Sequence, residues 1–198
     1  MTNSVLLLSG GLDSIALAYW LRPSRCLFVN YGQLPASAER AAAGQICNSL
    51  NIPLEELTLP LENLGAGDMS GNSSSEHSPH SEFWPFRNQI LITLGAMMAL
   101  RYELDSVLIG TVSTDSKHKD GTVDFRDACN KLLGIQEGSV SVEAPAASMT
   151  TEQLIHESGV PVSLMGWAHS CHTSNVACGE CPGCYKHSEL MGSMEINR

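Results

Sequence analysis

Ser9-Gly10-Gly11-Leu12-Asp13-Ser14 lies between the apolar run Val5-Leu6-Leu7-Leu8 and the segment Ile15-Ala16-Leu17-Ala18-Tyr19-Trp20. The first run has the length of a buried strand and the second continues as a helix, so the glycine pair marks a strand-to-helix turn. Adjacent glycines let backbone amides approach an anion without obstruction by Cβ, and the helix N-terminus adds unpaired N–H groups and a favourable dipole. Ser9 and Ser14 add hydroxyl donors. The stretch therefore reads as a phosphate cradle. It lacks the Gly-Lys-[Ser/Thr] ending of a Walker A loop, which disfavours γ-phosphate transfer. Asp13 would repel phosphate directly, so its expected role runs through Mg2+, an ion that takes carboxylate and phosphate oxygens together.

Working outward from this turn, short apolar runs at 5–8, 26–30, 54–59, 107–110 and 140–144 read as strands. Helical patterns fall at 14–21, 36–50 and 88–102, with weaker ones at 124–133 and 151–158. Alternating strands and helices predict an α/β fold, a three-layer parallel sheet of about five strands with helices on both faces. Ligands of such sheets bind beyond the strand C-termini, so the loops after Leu8, Val29 and Gly110 should converge on one cleft. Residues 65–82, rich in Gly, Ser and Asn, read as a mobile surface loop, with His77 and His80 as solvated loop residues. Met97 and Met98 read as core filling in the long helix.

The 198 residues suffice for one core, here read as a domain over 1–165 with a small C-terminal segment over 166–198. A net charge of −10 opposes a broad phosphate-backbone footprint, so a nucleic-acid partner is not expected. No apolar run is long enough to cross a membrane and no basic leader precedes the first strand, which reads as a cytoplasmic protein.

Of seven cysteines, Cys26, Cys47 and Cys129 fall in apolar or helical segments and read as buried thiols. The remaining four form Cys171-x6-Cys178-x2-Cys181-x2-Cys184, and in a reducing compartment such crowding favours a metal over disulfides. The spacing suits a tetrahedral four-cysteine Zn2+ site, with Gly179 and Gly183 allowing the tight turns; an iron–sulfur cluster uses the same donors. A four-thiolate shell leaves no open position, so the expected role is structural. His169 and His172 flank Cys171 and read as outer or surface residues. Elsewhere, Trp84-Pro85-Phe86-Arg87-Asn88 opens the long helix, where Arg87 and Asn88 can face an anionic or amide-bearing ligand. The hydroxyl-rich loop Gly110-Thr111-Val112-Ser113-Thr114-Asp115 follows a strand and leads into Asp124 and Arg126.

The ordered combination resembles the PP-loop superfamily of ATP pyrophosphatases and, within it, the QueC family of 7-cyano-7-deazaguanine synthases. The resemblance runs through residues 9–14, Tyr31-Gly32-Gln33, Pro85-x-Arg87-Asn88, residues 110–115, Val123-Asp124-Phe125-Arg126 and the cysteine cluster opening at Ser170-Cys171. It implies a PP-loop fold that splits ATP between its α and β phosphates and adenylates the carboxylate of 7-carboxy-7-deazaguanine. Ammonia then gives an amide, which is activated in turn and dehydrated to a nitrile. The resemblance implies ATP contacts from Ser9, Gly10, Gly11, Leu12, Asp13, Ser14, Val29, Tyr31 and Gln33. It implies recognition of the deazaguanine by Arg87, Asn88, Asp115, Asp124 and Arg126, with Asp13, Ser14, Arg87 and Asp115 closest to the chemistry. A homodimer is implied as well.

The chain departs from the QueC pattern on the side that receives the activated base. Leu34-Pro35-Ala36 stands where basic residues and His usually follow, the stretch from Asp115 to Arg126 lacks the usual tyrosines and cysteine, and His172 replaces a tyrosine. This looks like the divergent QueC-like proteins of bacterial anti-phage operons, including type IV CBASS. The leading expectation is a ligase coupling the activated base to an N-terminal amine of a protein from the same operon. An ordinary QueC using ammonia and a non-catalytic ATP-binding module are the alternatives; tRNA thiolation is disfavoured by the acidic charge.

Overall fold

The computed structural model describes residues 2–196. The first apolar run forms β1 (Thr2–Leu7), and the chain turns through the glycine pair into α1 (Leu12–Leu21). There follow β2 (Pro23–Asn30), α2 (Ala36–Leu50), β3 (Leu54–Thr58), α3 (Arg87–Arg101) and β4 (Ser106–Leu108). The chain continues through α4 (Val123–Gly134), β5 (Ser141–Glu143), α5 (Thr151–Ser158), a single turn α6 (Val162–Met165) and α7 (Pro182–Ile196).

The five strands are parallel in the order β3-β2-β1-β4-β5. Strand periodicity divides their side chains between two cores. Leu6, Leu8, Cys26, Phe28 and Leu108 pack with α1, α2, α5 and Met165 of α6; Val5, Leu27, Val29, Val107 and Val142 pack with α3 and Cys129 of α4. This is the expected three-layer α/β arrangement. The chain reverses direction across β1, with β2 on one side and β4 on the other, so the loops after β1 and β4 splay apart at the switch point where such sheets bind ligands.

Local chemistry explains most boundaries. Thr150 and Gln153 form a reciprocal capping box at the start of α5, and Gly159 ends that helix in the left-handed region at φ 63°. Thr122 caps α4, and Pro182 occupies the first position of α7, where its missing N–H costs nothing. The strands β4 and β5 are shorter than their apolar runs, which continue past the last ladder pair of each. No helix among the described residues is long and apolar enough to cross a membrane.

Three local expectations change. Met98 is buried, but Met97 is 65% exposed, because a helix packed on one sheet face cannot bury consecutive residues equally. Residues 65–82 are not surface throughout: Leu34 N–H donates to the Met69 carbonyl at 2.8 Å, Asp68 N–H to the Ser81 carbonyl at 2.7 Å, and the Ser81 hydroxyl to Asp68 Oδ2 at 2.6 Å. Met69 is buried among Tyr31 and Trp84 in the second core. His80 is half-buried against His118, with ring centroids 4.5 Å apart, rather than solvated.

Candidate active site

The loop between β1 and α1 owes its shape to Gly10, held at φ 81°. A Cβ there would lie 2.6 Å from the Glu39 carbonyl oxygen and 2.9 Å from Ala42 Cβ, so the loop backbone presses directly on α2. On its other side the Gly10 carbonyl accepts the His169 N–H at 2.9 Å. Ser14 Oγ donates to the Gly11 carbonyl at 2.9 Å, and Ser9 Oγ accepts the Gly11 N–H at 3.3 Å. The two serine oxygens lie 3.3 Å apart.

Ser9, Gly11, Leu12, Asp13 and Ser14 line a cavity of about 710 Å3 at the C-terminal edge of the sheet. The volume falls in the range of small-molecule and cofactor sites. Val29, Tyr31, Gln33, Arg87, Asn88 and Asp115 also line it, so most of the residues singled out from sequence meet in one place. Gly10 acts through the backbone just described. Asp124 and Arg126 stand apart from the cavity lining. Thr122 starts α4 so that Asp124 faces solvent on the first turn, while Arg126 Nη1 donates to the Gly121 carbonyl at 3.2 Å. The other candidates expected around the substrate line the cavity, whereas these two do not.

Asp13 is half-buried. Its Oδ2 accepts from Lys186 Nζ at 2.9 Å, whereas its Oδ1 is buried without a hydrogen-bond partner among the described residues. Burial pushes the Asp115 carboxyl upward, the Val112 N–H pulls it back, and the charge of Asp13 pushes it up again. The site thus holds two carboxylates that repel and one free oxygen, an arrangement that suits a hard divalent cation.

Also lining the cavity, the guanidinium of Arg87 has no carboxylate within ion-pair distance among the described residues. Its Nε donates to Asn88 Oδ1 at 3.3 Å and its Nη1 lies 3.0 Å from Met69 Sδ. Gln33 is a scaffold: its Oε1 accepts the Tyr31 N–H at 2.8 Å, and its Nε2 donates to the Val29 carbonyl at 3.2 Å and to Glu39 Oε2 at 2.8 Å. Burial pushes Glu39 up to about 7 and Tyr31 up to about 12. Tyr31 stands edge-on to Trp84, with ring centroids 4.9 Å apart.

The four C-terminal thiols converge. All four Sγ atoms lie within 4.8 Å of one another, with Cys178–Cys184 at 3.9 Å and Cys171–Cys181 at 4.0 Å. Tetrahedral zinc thiolates stand about 3.8 Å apart, whereas a disulfide needs about 2 Å, so the cluster fits a metal. Backbone N–H groups of His172, Glu180, Cys181 and Cys184 donate to its sulfurs. Those from Glu180 and Cys181, with Thr173, hold Cys178 down to about 6, while burial drives Cys184 up to about 12. Without a cation the four thiols cannot all ionise.

This segment also builds the cavity. Asn175 Oδ1 accepts the Ala38 N–H at 2.9 Å in the first turn of α2, and Leu190 of α7 enters the first core. His169 lies beside the phosphate loop, its Nε2 donating to the Ser174 carbonyl at 2.9 Å. His172 lines the cavity with Nδ1 buried and without a hydrogen-bond partner among the described residues, a placement its position beside Cys171 did not reveal. Gly183 leaves room for its ring, since a Cβ there would meet His172 Nε2 at 2.7 Å and the Ser170 carbonyl closer still. Lys186, Glu39, Glu82 and His118 are cavity residues that sequence reading missed. Lys186 carried one weak signal, standing two places after the last cysteine.

A family model described as "Queuosine biosynthesis protein QueC" matches residues 3–193. "7-Cyano-7-deazaguanine synthase 1" of Desulfitobacterium hafniense (strain Y51) is 30% identical over 200 residues, covering 94% of this chain and 90% of that protein. The 7-cyano-7-deazaguanine synthase of a Nitratiruptor species is 29% identical, with 92% and 90% covered. "7-Cyano-7-deazaguanine synthase 1" of Sulfurisphaera tokodaii is 27% identical, with 98% and 95% covered.

Proposed function

The chain belongs to the QueC family, and from that premise we propose that it is an ATP-dependent carbon–nitrogen ligase acting on 7-carboxy-7-deazaguanine. The observation that carries the reading is the meeting, in one cavity, of the phosphate loop and the Arg87 guanidinium, which has no carboxylate partner among the described residues. A nucleotide phosphate and a carboxylate therefore have complementary partners in the same enclosure.

In this reading residues 9–14 hold the triphosphate through backbone amides, and Val29, Tyr31 and Gln33 border the nucleotide. Arg87 orients the deazaguanine carboxylate, and Asn88 offers its amide to the base. A carboxylate oxygen attacks the α phosphorus and pyrophosphate leaves. An amine nitrogen then attacks the acyl carbon, loses a proton and expels AMP. Asp13, whose Oδ1 lacks a hydrogen-bond partner among the described residues, and Asp115 would hold Mg2+, which would supply neutralisation of charge on the departing phosphates. Lys186 adds a cation beside Asp13, and orientation with charge neutralisation supplies most of the catalysis. The four-cysteine zinc site is structural, and Asp124 and Arg126 act no closer than the second layer around the substrate.

Two acceptors fit this chemistry. Ammonia, followed by activation of the amide and loss of water, gives the nitrile that names the family's synthases. A protein N-terminal amine, as in an anti-phage operon, is supported by the altered stretches at Leu34-Pro35-Ala36 and 115–126. A cytoplasmic homodimer completes the reading; exposed Met97 and Leu100 of α3 and Leu132 of α4 are available to a second copy.

The test is incubation with ATP, Mg2+ and 7-carboxy-7-deazaguanine, with and without ammonia. Substrate-dependent release of AMP and pyrophosphate is expected; its absence overturns the ligase reading. Free nitrile with ammonia identifies the synthase reaction. Intact-mass spectra of operon proteins after co-expression, showing one added acylated base, identify the protein acceptor.

A further inference from the structure

His80 and Glu82 lie before α3 and His118 lies after β4, yet one imidazole nitrogen from each histidine and one carboxylate oxygen of Glu82 fall within 4.8 Å of one another. His118 Nε2 is 3.3 Å from Glu82 Oε1. Turns fix the backbones on both sides: Phe83 N–H donates to the His80 carbonyl at 3.2 Å, and His118 N–H donates to the Asp115 carbonyl at 3.0 Å. Three half-buried side chains from two distant stretches of chain are thus held with donor atoms converging.

We propose that His80, Glu82 and His118 form a second metal site, selective for a divalent transition metal and distinct from the four-cysteine centre. Two imidazoles and one carboxylate suit Zn2+, Co2+ or Fe2+, whereas Mg2+ and Ca2+ prefer oxygen alone. Ligands bound at about 2.1 Å stand about 3–3.5 Å apart, so the His118–Glu82 pair at 3.3 Å is already spaced for an ion, and His80, within 4.8 Å of both, is in reach after a small side-chain adjustment. Three protein donors leave at least one coordination position open. Glu82 and His118 line the cavity, so that position is available to an oxygen donor within it. The ion would also fasten the segment 65–82 to the wall that carries Asp115.

One competitor is visible. Lys117 Nζ lies 2.7 Å from the same Glu82 oxygen, and its side chain is 49% exposed. The ammonium stands where a metal's charge would act and has a free path to solvent, so metal entry amounts to an exchange of cations.

Protein with its cysteine site filled by one equivalent of Zn2+ is titrated with Co2+. The site predicts a further bound Co2+ whose spectrum shows ligand-field bands without thiolate charge transfer. His80→Ala and His118→Ala should each weaken this Co2+ by at least about tenfold while retaining the cysteine-bound zinc, which separates ligand loss from misfolding. Lys117→Ala should tighten it several-fold. Absence of the further Co2+, binding indifferent to both histidines, or weakened binding in Lys117→Ala overturns the site. The titration requires neither ATP nor deazaguanine, so it stands or falls independently of the proposed ligase reaction.

Discussion

Lys186 Nζ donates to Asp13 Oδ2 at 2.9 Å and so ties the helix that closes the cysteine site to the first turn of the phosphate loop's helix. Neither partner is fully exposed, and the second oxygen of Asp13 is left for another cation. Asp13→Asn should lower substrate-dependent pyrophosphate release by at least about 100-fold, since the lost charge acts on the transition state. Lys186→Gln should give a smaller loss, seen in kcat more than in the KM for deazaguanine acid. Steady-state pyrophosphate assays check both.

Arg87→Lys retains the charge but loses the planar fork. The KM for 7-carboxy-7-deazaguanine should rise by about tenfold with the KM for ATP little changed, because only a guanidinium engages a carboxylate through two parallel hydrogen bonds. Kinetics with each substrate varied in turn read the difference.

Gly10→Ala places a Cβ 2.6 Å from the Glu39 carbonyl at a φ of 81°, so both backbone conformation and packing suffer. A loss of at least about 2 kcal/mol in unfolding free energy is expected. Denaturant unfolding measures it, and ATP binding measured in parallel should fall with it.

Glu39 has a pH signature. Burial raises its pKa from 4.5 to about 7, so between those values the folded protein holds a proton that the unfolded chain has released. Stability should therefore decline as pH rises through this window and level off above about 7, by up to about 3 kcal/mol. Glu39→Gln should remove that decline and be more stable than the parent at pH 8. Urea unfolding of both proteins at pH 5 and pH 8 gives the comparison.

Removal of the cysteine-bound metal should reach the phosphate loop. His169 and Lys186 donate to Gly10 and Asp13, Asn175 accepts from the start of α2, and Leu190 packs in the first core, so the segment is joined to the loop and its surroundings by three hydrogen bonds and by apolar packing. Chelation or Cys171→Ser is expected to lower Tm by at least about 5 °C and weaken ATP binding. Thermal unfolding with and without chelator tests the effect on stability, and calorimetric ATP titration tests the coupling.

The legible part of this protein is the part written locally. The phosphate loop, the strand runs and the four-cysteine spacing each occupy a short window in which glycine, apolar residues or thiols recur at a telling interval. What escaped the sequence depends on distant chain segments meeting. Glu39 sits in an ordinary helical pattern, and its pKa rises through burial even though the hydrogen bond from Gln33 pulls it down. His80 looked solvated because its partner, His118, lies beyond α3 and β4. Asp124 stands off the cavity because a motif position says nothing about which way the first turn of α4 will face.

The bond from His169 to the Gly10 carbonyl has a consequence for biosynthesis. Gly10 leaves the ribosome ahead of β2 and every later element, but the group that clamps its loop is translated after every strand of the sheet. A nascent chain can therefore pair its strands before it owns a finished phosphate pocket. On the proposed reading, competence to bind ATP would arrive late, once the cysteine segment has emerged, and metal supply to those thiols would then act on the timing of maturation as well as on the finished fold.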